Sequence, residues 1–330
     1  MNLGMELSEI LEAQTRITKH VNVTPFRGPS HYFSELTGGN IYFKCENQQK
    51  AGSFKARGAY NKIRKYQETG KITHAICAST GNHSQGVAWA ATRCGIPSTV
   101  VMSKNTPANK VQATRGYGAT VVLHGEDFNQ AMEHARELEK QLGATFIHAF
   151  NDSDIVAGQG TITLEILKKL PQTDVIVVPV GGGGLIAGIA IAAKKINSKI
   201  KVIGVQAEGA CAAVKSYKTG KTVSMTCNTI AEAIAIKTPG DVTMPLIDKY
   251  VDQMVTVTDH EMMHAMVELL DRTKYLAEPA GAASLAAVIN KKVDVTGKNV
   301  VCILSGGNLD MSRLYKYIEQ VRSEIKCEKN

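Results

Sequence analysis

The chain has 330 residues, 44% of them hydrophobic and 21% charged, with a formal net charge of +8. That composition belongs to a folded globular protein long enough for two buried cores, and it excludes a disordered chain. The basic residues are dispersed among 30 acidic ones, with no dense basic run and no aromatic-rich motif beside them, so a nucleic-acid binder is excluded too.

The N-terminal stretch "MELSEILEAQTRITK" carries Glu6, Glu9 and Glu12 where a signal peptide needs an unbroken apolar core, and it reads as an amphipathic surface helix. From about His74 apolar runs alternate with helical patterns: "HAICAS", "SQGVAWAATRCG", "STVVMS", "ANKVQATRGYG", "ATVVLHG", "FNQAMEHARELEKQLG" and "ATFIHAF", with helices stopping at Gly95, Gly118 and Gly143. The alternation resumes through "GTITLEILKKL", "DVIVVPV", "LIAGIAIAAKKIN", "KVIGVQAE", "QMVTVTD", "HEMMHAMVELLDRTK", "AGAASLAAVINKK" and "NVVCILSGGN" to a final basic helix. Short β-rich runs separated by helices predict an α/β fold of two doubly wound open-sheet lobes. Residues 175–193 are uncharged over about a bilayer's width, but Pro179 and four glycines would leave backbone groups unpaired in lipid. A buried strand, a loop and a helix are expected there, not a membrane span. The seven cysteines include no CxxC pair, and reduced thiols in a cytosolic protein are the expectation.

Ligands of such folds bind where loops leave the carboxyl ends of strands, and three glycine-rich exits occur: "STGNHSQG", "VGGGGLIAG" and "LSGGN". In "VGGGGLIAG", Gly181, Gly182, Gly183 and Gly184 precede a helix, so converging backbone N–H groups and the helix's positive end suit a phosphate. Gly182, Gly184 and Ala187 also satisfy the dinucleotide fingerprint GxGxxA, and Glu208 ends the next strand at the spacing of a ribose-binding carboxylate. A nicotinamide-dependent dehydrogenase therefore stands as the alternative of another class. In "GSFKARGAYNK", Ser53 is an expected N-cap and Phe54, Ala59, Ile63 and Tyr66 give a helical stripe running out near Gly70, which places Lys55 in the first turn. A helix N-terminus disfavours an ammonium by roughly 0.3–1 kcal/mol, a direction that suits a lysine working uncharged.

Taken together, "GSFKARGAYNK", "STGNHSQGVA", "AGQGTITLEI", "PVGGGGLIAGIA", "EPAGAA" and "LSGGN" resemble, in order and spacing, the fold type II pyridoxal phosphate enzymes, and within these the threonine and serine dehydratases and their relative serine racemase. The resemblance runs from Thr24 to Asp310. It implies a large pyridoxal-phosphate-binding domain of residues 1–70 and 151–330 with a small domain of 71–150. It further implies that Lys55 is the Schiff-base lysine and later the base at Cα, that Phe54 packs beside the cofactor, and that the 181–184 loop with the Leu185 amide holds the phosphate. Asn82 would meet the ring hydroxyl oxygen. Ser79, Thr80, Gly81 and the Asn82 and His83 backbone would receive the substrate carboxylate. Ser305 would face the pyridine nitrogen, where a neutral hydroxyl supports a weaker electron sink than an aspartate and so favours elimination.

The implied reaction is α,β-elimination of water from L-threonine, L-serine or another small β-hydroxy amino acid, giving 2-oxobutyrate or pyruvate and ammonia. Serine racemase activity is the alternative within the family, because Thr80 occupies the position where racemases carry a serine and keeps its hydroxyl. Glu208 is the single candidate for the family's divalent-metal site; "GACAAVK" after it supplies no further carboxylate, so a Mg or Ca site is doubtful. Glu278, Phe150, Asn151 and Asp152 match positions near the cleft, and Ala233 replaces a glycine usual near the cofactor ring. The resemblance also implies a homodimer or homotetramer; from the cysteines, charge and hydropathy a cytoplasmic protein with no nucleic-acid or membrane partner is expected, and from the chain's stop near 330 no C-terminal regulatory domain is expected.

Overall fold

The structure is a computed structural model that describes residues 5–327. In chain order these form α1 (Leu7–Ile17), β1 (Phe26–Arg27), α2 (His31–Thr37), β2 (Asn40–Lys44), α3 (Lys55–Glu68), β3 (Ala75–Ala78), α4 (Asn82–Arg93), β4 (Ser98–Met102), α5 (Ala108–Gly116), β5 (Thr120–Leu123), α6 (Phe128–Leu142), β6 (Thr145–Phe146), α7 (Ser153–Lys169), β7 (Val175–Pro179), α8 (Gly184–Ile196), β8 (Lys201–Ala207), α9 (Ala212–Thr219), α10 (Thr243–Tyr250), β9 (Gln253–Val257), α11 (Asp259–Thr273), α12 (Pro279–Ile289), β10 (Asn299–Ile303) and α13 (Met311–Cys327). Short 3-10 turns connect several of them.

The strands make two sheets. One has six strands in the order β1-β2-β10-β7-β8-β9, parallel throughout except for the antiparallel edge pair β1 and β2. The other has four parallel strands in the order β5-β4-β3-β6. This is the expected α/β architecture with helices on both sheet faces.

Period-two side-chain alternation explains how each sheet is buried twice. In the larger sheet Ile176, Val178 and Val202 pack into a core with α1, α7, α8 and α10, while Val175, Val177 and Val205 pack on the opposite side with α11 and α12. In the smaller sheet Ala75, Cys77 and Val100 join Ala59, Tyr60 and Ile63 of α3 and Val87 and Ala91 of α4. Ile76, Ala78 and Val101 face Ala131 and Ala135 of α6. The apolar face of α3 thus belongs to the smaller sheet's core, and its first turn reaches the larger sheet. That bridging helix begins with Lys55.

Residues 175–193 fold as β7, a loop and α8. No helix among the described residues is long and apolar enough to cross a membrane.

Candidate functional site

The glycine exit between β7 and α8 is held in one conformation from behind. Gly183 has φ +100°, and a Cβ there would lie 2.7 Å from Thr243 Oγ1 and 2.8 Å from Ile247, so only glycine fits. A Cβ on Gly182 would overlap the Phe150 ring. The loop carbonyls are tied off: Thr243 Oγ1 donates to the Gly182 oxygen at 2.6 Å, the Gly240 amide donates to the same oxygen at 3.3 Å, and Gln206 Nε2 donates to the Gly181 oxygen at 3.4 Å. With the carbonyls engaged, the N–H groups of Gly181, Gly182, Gly183, Gly184 and Leu185 have no protein acceptor among the described residues. Five consecutive free amides at the positive end of the 13-residue helix α8 form a donor set that fits a phosphate dianion.

Lys55 is the first residue of α3, and its N-cap is Phe54, in the right-handed helical region with no side-chain cap. The expectation that Ser53 caps this helix is corrected: Ser53 is extended and bridged to Gly306, so its backbone holds the hydroxyl away from the helix N–H groups, and that hydroxyl is buried without a partner. Lys55 Nζ donates to the Ala149 carbonyl at 2.7 Å and lies 5.1 Å from the centroid of the Phe54 ring. Desolvation by the surrounding protein lowers the Lys55 pKa from 10.5 to about 8. Burial, rather than the weaker helix end, is therefore what shifts this amine towards its neutral, nucleophilic form.

The Phe54 amide donates to the Ser305 carbonyl at 3.1 Å, which fixes the start of α3 against the exit of β10. Ser305 is 4% exposed, and its hydroxyl has no hydrogen-bond partner among the described residues. On the other side, β3 runs through Ser79, Thr80 and Gly81 into α4. Ser84 Oγ donates to the Gly81 carbonyl at 2.6 Å, and the Gly81 amide donates to Ser79 Oγ at 3.2 Å, which shapes the turn; the Thr80 hydroxyl is free of protein partners among the described residues.

Asn82 is held at both ends of its amide. Its Nδ2 donates to Glu278 Oε1 at 2.5 Å and its Oδ1 accepts from Asn308 Nδ2 at 2.8 Å. Burial raises the Glu278 pKa to about 7, although the Asn82 hydrogen bond opposes the shift. His83 Nε2 donates to the Ile147 carbonyl at 2.8 Å, and burial lowers the imidazole's pKa to about 3, the nearby Lys55 adding to the effect. Its side chain is a neutral structural histidine, in keeping with a role confined to its backbone.

These groups meet through a closed circuit of contacts. Lys55 touches Ala149; Phe150 packs on Gly182 and Gly184; Phe54 holds Ser305; Asn82 approaches Gly306 and Glu278; and Gly86 of α4 packs on the Lys55 backbone. Ala233 lies on the segment that lines Gly181. Asn151 Oδ1 accepts from the Val242 amide at 2.9 Å, and Asp152 caps α7, so both residues serve as scaffold. Glu208 stands apart: it is exposed in a 3-10 turn after β8 and belongs to no cluster of three potential metal ligands among the described residues.

Sequence reasoning missed Thr243, Gln206 and Gly240 behind the glycine loop, the carbonyl of Ala149, and a buried charge cluster of Lys44, Glu46, Arg57 and Glu165 beneath Lys55. Its members come from a strand, a 3-10 turn and two helices, so no local pattern in the sequence announces them.

Comparison with known proteins agrees with this geometry. The sequence profile of the family described as "Pyridoxal-phosphate dependent enzyme" matches residues 17–306. The L-threonine ammonia-lyase of Thermotoga maritima is 47% identical over 315 residues, covering 95% of this chain and 78% of that protein. The catabolic L-threonine dehydratase TdcB of Staphylococcus aureus is 43% identical over 319 residues, covering 96% and 92%. Among solved structures, maize serine racemase superposes with a TM-score of 0.90 at 34% identity, covering 97% of this chain and 99% of that one. The nicotinamide reading of Gly182, Gly184 and Glu208 gives way accordingly, since a profile spanning both sheets accounts for the glycine loop together with Lys55, which a dinucleotide fold leaves unexplained. The chain belongs to the family of pyridoxal-phosphate dependent enzymes.

Proposed function

We propose that the protein is an ammonia-lyase that converts L-threonine, L-serine or both to 2-oxobutyrate or pyruvate and ammonia by α,β-elimination. The observation that carries this reading is Lys55: a buried first-turn lysine, depressed to about 8, with a carbonyl and no carboxylate as its partner, joined through Ala149 and Phe150 to a loop of five free amides. The curated relatives, named for threonine ammonia-lyase and dehydratase activity, supply the substrate class.

Bound pyridoxal phosphate supplies an electron sink that acidifies the Cα proton of an amino acid attached through its amine. The chain's own residues do the rest. The amides of Gly181, Gly182, Gly183, Gly184 and Leu185 would hold the phosphate, and the Lys55 amine would hold the cofactor and serve as the base for the Cα proton. Phe54 would pack beside the ring, Asn82 would meet its hydroxyl oxygen, and Ser305 would offer an uncharged hydroxyl to its nitrogen. Ser79, Thr80, Gly81 and the backbone of Asn82 and His83 receive the substrate carboxylate. In this reading residues 1–70 and 151–330 belong to the large, cofactor-binding domain and 71–150 to the small one, with α3 packed against both sheets' cores. The reading extends to a homodimer or homotetramer in the cytosol; light scattering after gel filtration tests the assembly.

The test is a visible-absorbance spectrum with and without L-threonine and L-serine, followed by assay of 2-oxo acid, for the wild type and Lys55→Ala. The wild type is expected to show the cofactor band and release oxo acid, and the variant to lose both, with turnover down by roughly 10²–10⁴-fold as befits loss of a proton-transfer group. A band accompanied by D-serine formation and no oxo acid would replace the lyase with a racemase acting through Thr80.

A further inference from the structure

His260 and His264 stand one turn apart on α11, the i and i+4 spacing that puts two side chains on the same helix face. Their rings are 4.4 Å apart between centroids. Both Nε2 atoms point at one oxygen of a third residue brought in by α13: His260 lies 2.8 Å and His264 2.7 Å from Glu324 Oε2. The three ligand atoms fall within 4.8 Å of one another. None of these residues touches the Lys55 site, and the reaction derived above uses none of them.

We propose that His260, His264 and Glu324 form a binding site for a borderline divalent transition ion, Zn²⁺ or Ni²⁺, that staples α11 to α13. Two imidazole nitrogens and a carboxylate oxygen are the donor set such ions select, whereas Mg²⁺ and Ca²⁺ call for more oxygens and fewer nitrogens. The ligands are already gathered without an ion, which limits the reorganisation that binding requires. Side-chain exposures of 57% for His260, 27% for His264 and 33% for Glu324 leave a path for entry, and three protein ligands leave a coordination position for water. Gln320 Nε2, 3.5 Å from Glu324 Oε1, steadies the carboxylate from the same helix. The site lies apart from the exposed Glu208, the position where the family resemblance placed its metal.

The experiment titrates ZnCl₂ and NiCl₂ into chelator-treated holoenzyme by calorimetry, with bound metal counted by elemental analysis after ultrafiltration. Saturable uptake of a single ion per chain is expected, weakened at least roughly tenfold by His260→Ala or by His264→Ala, with MgCl₂ giving no competition. Because both histidines are on the surface, the double variant is expected to keep the cofactor absorbance band and the far-ultraviolet spectrum of the wild type. Zinc is also expected to slow proteolysis of α13 in the wild type and not in the double variant. Absence of saturable uptake by the wild type, or uptake undiminished in the double variant, would overturn the proposal.

Discussion

An amine attacks a carbonyl only in its neutral form, so the pKa of Lys55 sets how readily the protein captures its cofactor. At about 8, its neutral fraction at pH 7 exceeds that of an ordinary lysine at 10.5 by roughly 300-fold. The sign follows from the cause: desolvation penalises the ammonium, no carboxylate offsets it, and the amine therefore deprotonates early as pH rises. The second-order rate at which cofactor-free protein takes up pyridoxal phosphate, followed by visible absorbance, is predicted to climb about tenfold per pH unit below 8 and to level off above it. A rate that keeps climbing to pH 10 would show a solvent-exposed lysine and remove the argument for a buried nucleophile. Glu278, displaced the other way to about 7, is protonated for much of the range in which Lys55 is still gaining neutrality, so Asn82 faces a carboxyl group whose charge state changes near neutral pH.

The position of Lys55 depends in turn on how α3 is anchored, and its anchor is a set of charges two residues further on. Arg57 is fully buried and donates to Glu46 at 2.8 and 2.9 Å and to Glu165 at 2.6 and 3.0 Å, while Lys44 Nζ donates to Glu165 at 2.5 Å and to the Thr24 carbonyl at 2.8 Å. Two cations balance two anions, tying β2 and its exit to α3 and α7. Burial would raise the Glu46 pKa, but the Arg57 guanidinium overrides it and holds the carboxyl below its ordinary value. Removing one member strands the others, so Glu165→Ala is expected to cost about 3–5 kcal/mol in urea unfolding, whereas replacing Lys44 and Glu165 together with apolar residues of similar volume recovers most of it, Arg57 keeping its bidentate contact with Glu46. Equal losses in the single and double variants would show that packing and not charge balance matters there. Such a cluster is illegible in sequence because its four members are assembled by tertiary contact from segments as far apart as residues 44 and 165. The elements themselves were legible wherever an apolar run was long enough to show its period: β3, β4, β7, β8 and β10, and the helices between them. The two-residue strand β1 and helices α2, α9 and α10 were not, being short or embedded in mixed stretches whose structure is imposed by the sheet edge and the core. In the candidate site, Lys55 and the glycine loop stand out from their own residues at the starts of helices, whereas Asn82 and Ser305 enter only through the family resemblance. Thr243 and Gln206, which fix the loop's carbonyls, carry no local signature at all.

The two sheets meet across the cleft, and the molecule closes it with charges at the rim. Lys110 of α5, on the side of the smaller sheet, donates to Glu232 Oε2 at 2.5 Å, while Arg313 of α13 donates to Glu232 Oε1 at 2.6 Å, and Asn109 Nδ2 lies 3.3 Å from Asp310 Oδ2. Burial alone would raise the Glu232 carboxyl, but hydrogen bonds from Lys110 and Arg313 pull its pKa below the ordinary range. This bridge stands over a small cavity walled by Glu278 and Asn308, the two residues that hold Asn82. The rim contacts therefore bear on the distance between the Asn82 turn and the elements that carry Ser305 and the glycine loop. Glu232 and Arg313 are each nearly half exposed, so the bridge is worth only about 0.2–1 kcal/mol, enough to favour the arrangement seen and too little to lock it. Glu232→Gln is accordingly predicted to raise KM for the amino acid by up to roughly fivefold, to leave the cofactor absorbance band unchanged, and to abolish most of the salt dependence of KM expected of the wild type. A variant whose KM responds to salt as the wild type's does would show that the rim charges play no part in holding the site together, leaving the Asn82 hydrogen bonds and the α3 and α4 packing around Gly86 to do so.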